Sequence, residues 1–230
     1  MAETVEIGDP PILVRLRRDS RAKRMTLRVS SVDGTARLTL PKRSSSRAAT
    51  RFLLAQENWL RTHLEKTPER VTIRAGVEIS LQGDSFLLEQ HSRARVVLAP
   101  GKIFLPGNRP AGKALEGFIK ARARSVITKL VEGDAAALGA GFGKISLRDP
   151  RARWGSCSSE GNLMFSWRLM LAPAAVLRYV VAHEAAHLRE MNHAPAFWAE
   201  VAALMPEYEA PRRWLKQNGG GLHRFDFKAA

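Results

Sequence analysis

His183-Glu184-Ala185-Ala186-His187 is the segment whose residue types and spacing say most about chemistry. On a helix, residues four apart lie one turn apart on one face, so both imidazoles can reach a single ion. Zinc takes imidazole nitrogen at about 2.0–2.1 Å in a roughly tetrahedral shell. A catalytic site leaves one position for water, whose pKa the metal lowers. Glu184, beside the first histidine, is placed to take a proton from that water as it attacks a carbonyl. Val176, Val180, His183, His187 and Met191 follow i, i+4, i+7, i+11, i+15, so the histidines share a face with an apolar stripe. Buried histidines need partners, and one Zn2+ per chain would provide them.

A third ligand is at hand. His193 follows His187 by six residues, a spacing that requires the helix to end and the chain to turn back. Asn192 tolerates the left-handed conformation that ends helices, and Pro195 suits the start of the next one. Glu190, Glu200 and Glu207 are rival third ligands. The metzincin pattern has the same histidine spacing but a glycine where Glu190 stands, so that class is not indicated. His63, His91 and His223 have no comparable company and are expected to be ordinary surface or core histidines. Cys157, the one cysteine, is expected to pack structurally rather than act as a nucleophile.

These side chains need a scaffold. Ile12–Leu16, Met25–Val29 and Ala36–Leu40 alternate as strands, the last two joined by Asp33-Gly34 as a hairpin. Ser44, Ser45 and Ser46 offer N-caps for a helix over 47–64. Short strands follow at 71–74, 77–81, 85–88, 95–98 and 102–105, punctuated by Gly76, Gly83 and Gly101. The loop from Pro106 to Pro110 is the best sequence boundary, and a long helix over 113–138 comes after it. Strands are expected at 145–147, 153–157 and 163–167. Pro173 opens the histidine helix, which should run to about Glu190, and helices follow at Pro195 and Pro206. No internal repeat or low-complexity segment is visible. The expected organisation is α+β: a mostly β, basic region over 1–108, a catalytic region over 109–218 carrying the histidine helix, and a loose tail over 219–230.

The bulk properties narrow the setting. The chain has 230 residues and a net charge of +15. No stretch approaches the about 18 apolar residues of a membrane helix. Met1–Pro11 carries Glu3, Glu6 and Asp9 and no apolar block, unlike a secretory signal, and a single cysteine forms no internal disulfide, so a cytoplasmic setting is expected. The basic excess is greatest over residues 1–70, with 15 Lys and Arg against 8 Asp and Glu. Arg15, Arg17, Arg18, Arg21, Lys23, Arg24 and Arg28 form a run in which Arg17, Arg18 and Arg24 are candidate contacts to a phosphate backbone. No aromatic residue interleaves them, so sequence-independent nucleic-acid contact is the alternative function, without base reading.

Arg153-Trp154-Gly155-Ser156-Cys157, Phe165-Ser166-Trp167-Arg168-Leu169, Tyr179-Val180-Val181-Ala182-His183-Glu184, His187-Leu188, Asn192-His193, Phe197-Trp198, Met205-Pro206-Glu207-Tyr208 and Trp214-Leu215 closely resemble the YgjP-like metallopeptidase family. The Arg21–Ser30 stretch and Leu38–Pro41 resemble that family's opening. The resemblance implies a zincin-like catalytic domain, zinc held by His183, His187 and His193, Glu184 as the catalytic residue, and a protein or peptide substrate. The family is distantly similar to SprT-like proteases, some of which degrade proteins crosslinked to DNA. An extended peptide would be held most simply by pairing with an exposed strand, and 153–157 and 163–167 are the nearest candidates.

Overall fold

The computed structural model describes residues 3–30, 33–65 and 69–228. It falls into two units, Met1–Arg70 and Val71–Ala230. The first contains strands β1 (Thr4–Ile7), β2 (Ile12–Asp19), β3 (Thr26–Val29) and β4 (Ala36–Pro41), then helices α1 (Ser46–Ala55) and α2 (Glu57–Glu65). Its sheet order is β1-β2-β4-β3. The alternation in β2 sorts its side chains, with Ile12, Val14 and Leu16 buried while Leu13, Arg15 and Arg17 face outward. Ala36, Leu38 and Leu40 do the same on β4, and Ala49, Leu53 and Leu60 of the helices complete this core. Ser45 caps α1, its hydroxyl accepting from the Ala48 N–H at 3.2 Å. The single helix expected over 47–64 is two, separated at Gln56.

The second unit begins with β5 (Val71–Thr72). Four strands follow, β6 (Glu78–Leu81), β7 (Asp84–His91), β8 (Val97–Ala99) and β9 (Lys102–Pro106), in the order β6-β7-β9-β8. Outer pairs are antiparallel and the central pair parallel, as in the first unit's sheet. The sequence shows no repeat because alternation specifies which face of a strand is buried, not which strand lies beside it. Helix α3 (Ala111–Leu138) buries Leu115, Ile119, Ala123, Ile127 and Val131 at helical spacing and ends on Gly139, left-handed at φ 61°.

Strands β10 (Ile145–Arg148), β11 (Gly155–Cys157) and β12 (Leu163–Ser166) form a sheet of order β10-β12-β11. β12 is one residue shorter than expected because Trp167 enters a 3-10 turn over Trp167–Leu171, and β11 begins only at Gly155. Helices α4 (Ala174–Ala186), α5 (Pro195–Leu204) and α6 (Glu209–Asn218) follow, and β13 (Phe225–Asp226) closes the unit. The fold is mixed α+β, with six α-helices among the described residues. None is long and apolar enough to cross a membrane.

Two expected boundaries move. The division falls after Arg70, not at 108/109. Ile79, Leu81, Leu88, Ile103 and Leu105 of β6, β7 and β9 share one apolar cluster with Leu115, Phe165, Trp167, Leu177 and Val181. The loop from Pro106 to Pro110 is thus a connection inside one core. Nor is the described part of the closing segment, residues 219–228, loose. β13 pairs parallel with β5, Phe227 is buried edge-on to Trp167 with ring centroids 5.0 Å apart, and a Cβ on Gly112 would collide with the Phe227 backbone. Arg168, itself buried, donates to the carbonyls of Leu222 and Phe225 at 3.1 Å each and to both carboxylate oxygens of Asp149.

Candidate metal centre

Helix α4 is apolar on almost every side: Val176, Leu177, Val180, Val181, Ala182, Ala185 and Ala186 are all buried. Such a helix is stable only when enclosed, and α3, α5, α6 and β11 pack around it. His183 and Glu184 occupy its last turn and His187 is its C-cap. The helix stops earlier than Glu190, the expected end, so Met191 leaves the predicted buried stripe and is exposed.

The chain then reverses. The Asn192 side chain accepts from the Ala194 N–H at 2.9 Å, closing a tight turn. Among the described non-glycine residues only Gln82 has positive φ, so Asn192 acts through its side chain and not through a left-handed backbone. Pro195 follows in the first turn of α5. This reversal brings His193 back to the helix end, where its Nε2 stands 3.2 Å from that of His183. The ligating atoms of His183, His187 and His193 all lie within 4.8 Å of one another. Phe197, fully buried, is a common support; the sequence reading placed it only within the resemblance and gave it no role. Its ring centroid is 4.9, 4.5 and 4.6 Å from those of His183, His187 and His193.

The donor set fits a metal. His187 Nδ1 is 2.9 Å from the Glu190 carbonyl oxygen. A carbonyl only accepts, so Nδ1 carries the proton and Nε2 keeps its lone pair for a ligand. Burial, helped by the charges of His187, His193 and Arg212, lowers His183 to about 4. Burial also lowers His187. Neutral imidazole is the metal-binding form. Two nitrogens on one tetrahedral zinc would stand about 3.3 Å apart, close to the His183–His193 pair. Of the rival ligands, Glu190 contributes only its backbone oxygen here and Glu200 pairs with Arg189 at 3.2 Å. No carboxylate joins the histidine group among the described residues.

Glu184 is 5% exposed. Burial raises its carboxyl to about 7, against the opposing charge of Arg153. It lies against β11, where a Cβ on Gly155 would fall 2.5 Å from its Cγ and Oε1. The absence of a side chain there is what admits the carboxylate. The four residues face a cleft of about 430 Å³ whose other wall is Arg153, Gly155, Ser156 and Cys157, with Met191 at its side. Cys157 thus borders the cleft as well as packing on the core. Burial and the nearby Glu184 charge push its thiol up, which disfavours a nucleophilic thiolate. β11 is an edge strand, whereas β12 is paired on both sides.

The three arginines singled out for phosphate contact have separate surroundings. Arg18 pairs with Glu3 at 3.2 Å and donates to the Lys42 and Ser44 carbonyls. Arg17 lies 3.5 Å from Asp19. Arg24 lines a hollow with Phe52, Gln56 and Trp59. Of the remaining histidines, His63 stacks on Trp59 at 3.9 Å and His91 meets Phe104 edge-on. His223 is buried beside Trp154 and Asp149.

Residues 23–218 match the family model described as YgjP-like, metallopeptidase domain. No curated protein matches the chain. Among solved structures, the metallopeptidase zymogen of Pyrococcus abyssi abylysin is similar over 40% of this chain and 93% of that one, at 21% identity and a TM-score of 0.36.

Proposed function

The chain belongs to the YgjP-like metallopeptidase family, and from that membership and the geometry around α4 we propose that it is a zinc-dependent endopeptidase with a zincin-like catalytic unit. His183, His187 and His193 would hold one Zn2+. When bound, the ion supplies Lewis acidity, polarising a scissile carbonyl and acidifying water.

The remaining chemistry falls to the chain. Glu184 is the general base. Burial holds its carboxyl above the ordinary glutamate range, which strengthens it as a proton acceptor. It takes a proton from the attacking water as the new carbon–oxygen bond forms, then gives it to the departing amide nitrogen as the carbon–nitrogen bond breaks. The outer edge of β11 borders the cleft and offers unpaired backbone groups to an extended peptide. Such pairing asks little of the substrate's side chains, which suits a protein or peptide substrate of broad sequence.

What supports this function most is the convergence of three imidazoles beside one buried carboxylate in an open cleft. The test is hydrolysis of an unfolded protein, fluorescein-labelled casein, with the fragments mapped by mass spectrometry. Internal cuts that stop on chelation and return with added zinc are expected. Cleavage indifferent to chelation would refute the proposal.

A further inference from the structure

Resting on the peptidase function just proposed, we infer that Arg153 is a further catalytic residue of this site: its guanidinium binds the scissile carbonyl oxygen and stabilises the charge that forms there. When water adds to a peptide carbonyl, one proton goes to Glu184 and the carbonyl electron pair moves onto oxygen. That oxygen gains a full negative charge, and a cation already aimed at it lowers the barrier without reorganising.

Arg153 is the one Lys or Arg side chain lining the cleft among the described residues. It also lines the adjoining hollow with Tyr179, His183 and Glu184. Its charge is felt at the Glu184 carboxyl. The segment carrying it is fixed. Trp154 turns away, its ring 5.1 Å from that of His223 and close against Gly219. Gly155, two residues on, meets Glu184. Arg153 therefore stands on an anchored backbone at the mouth of β11 while its side chain stays exposed.

The neighbouring cations have partners of their own, and Arg212, although its charge reaches His183, does not line the cleft. Arg212 lies over the Trp198 ring at 4.2 Å. Arg189 pairs with Glu200, Arg178 with Asp134 and Arg168 with Asp149. No described ion pair or hydrogen bond engages the Arg153 guanidinium. A positive charge on a cleft wall beside the base, with no hydrogen bond or ion pair of its own among the described residues, suits an acceptor brought by the substrate. The fork geometry of guanidinium also suits an oxyanion better than the point charge of lysine.

The experiment compares wild type, Arg153→Met, Arg153→Lys and Arg153→Ala, each with one zinc bound and an unchanged melting temperature. Two affinities are read by calorimetry: for a phosphinic peptide, whose ionised phosphinate mimics the tetrahedral oxyanion, and for the matching amide peptide in a Glu184→Gln background. For Arg153→Met, phosphinic affinity and kcat should both fall by about 10²–10³-fold, with amide affinity within about threefold. Arg153→Lys should fall between, and added guanidinium ion should restore part of the kcat of Arg153→Ala. Equal losses for both ligands would make Arg153 a residue that merely holds substrate, and unchanged phosphinic affinity would give it no role; either overturns the inference. A wild type that neither cuts peptides nor binds the phosphinic compound would overturn the peptidase function itself.

Discussion

Glu184 and Gly155 are in contact across the cleft, so close that a methyl group on Gly155 would fall 2.5 Å from a carboxylate oxygen. A helix and an edge strand thus meet at the one position where the strand has no side chain. The proposed base is held by packing, and the strand that borders the cleft is also what fixes it.

Gly155→Ala should therefore impair catalysis without touching a metal ligand. The added methyl must push Glu184 aside, and a displacement of about 1 Å can cost roughly 10²-fold. The expected result is a fall of about 10–100-fold in kcat with one zinc still bound. Wild-type kcat in the variant would mean that Glu184 is not positioned by this contact.

His193→Ala should lose zinc on dialysis under conditions where wild type keeps one ion per chain. His193 completes the set only because the turn at Asn192 returns it to within 3.2 Å of His183. Metal analysis of the two proteins decides this. Undiminished zinc affinity in the variant would point to Glu190, Glu200 or Glu207 as the third ligand.

Asp134, buried on α3, is held by both guanidinium nitrogens of Arg178 at 2.7 Å. Burial nevertheless raises its carboxyl, so desolvation outweighs the attraction of its partner. Arg178→Met should then destabilise by about 3–5 kcal/mol, because it strands a buried charge. The double variant Arg178→Met with Asp134→Leu should regain most of that loss in urea titrations. A single variant as stable as wild type would show that the pair is not buried in solution.

Acid should weaken the fold through His223. Burial first, and then Arg168, lowers its imidazole from 6.5 to about 4, although Asp149 pulls the other way. Because the unfolded histidine binds its proton more readily, stability present above pH 6.5 is lost as pH falls toward 4. The loss amounts to at most about 3 kcal/mol. His223→Gln should flatten that window in chemical unfolding measured at several pH values. An unchanged slope would assign acid sensitivity to other groups.

The histidine helix was legible because its chemistry and its periodicity coincide in one short segment. His193 was legible too, since Asn192 and Pro195 signal a reversal between helices, although Asn192 makes the turn with its side chain. The boundary after Arg70 was hidden. Pro106-Gly107-Asn108-Arg109-Pro110 has the composition of a linker, and nothing local shows that β9 before it and α3 after it share a core. The closing segment was misjudged for the same reason. Three glycines suggest looseness, while what holds the segment, Arg168 and Trp167, lies more than 50 residues earlier. Gly155 was visible only within a resemblance, because a glycine required for space leaves no periodic mark. Phe197 fitted an ordinary apolar helix face, and its place beneath three imidazoles follows from a turn that sequence pattern does not orient.

The most direct test of the account is Glu184→Gln. The amide keeps the size and polarity of the carboxylate but cannot accept the water proton. Zinc content, melting temperature and casein hydrolysis are measured side by side in the variant and wild type. The account predicts one zinc per chain, an unaltered fold and activity lower by about 10²–10⁴-fold. Turnover close to wild type in a zinc-loaded, folded Glu184→Gln variant would contradict it.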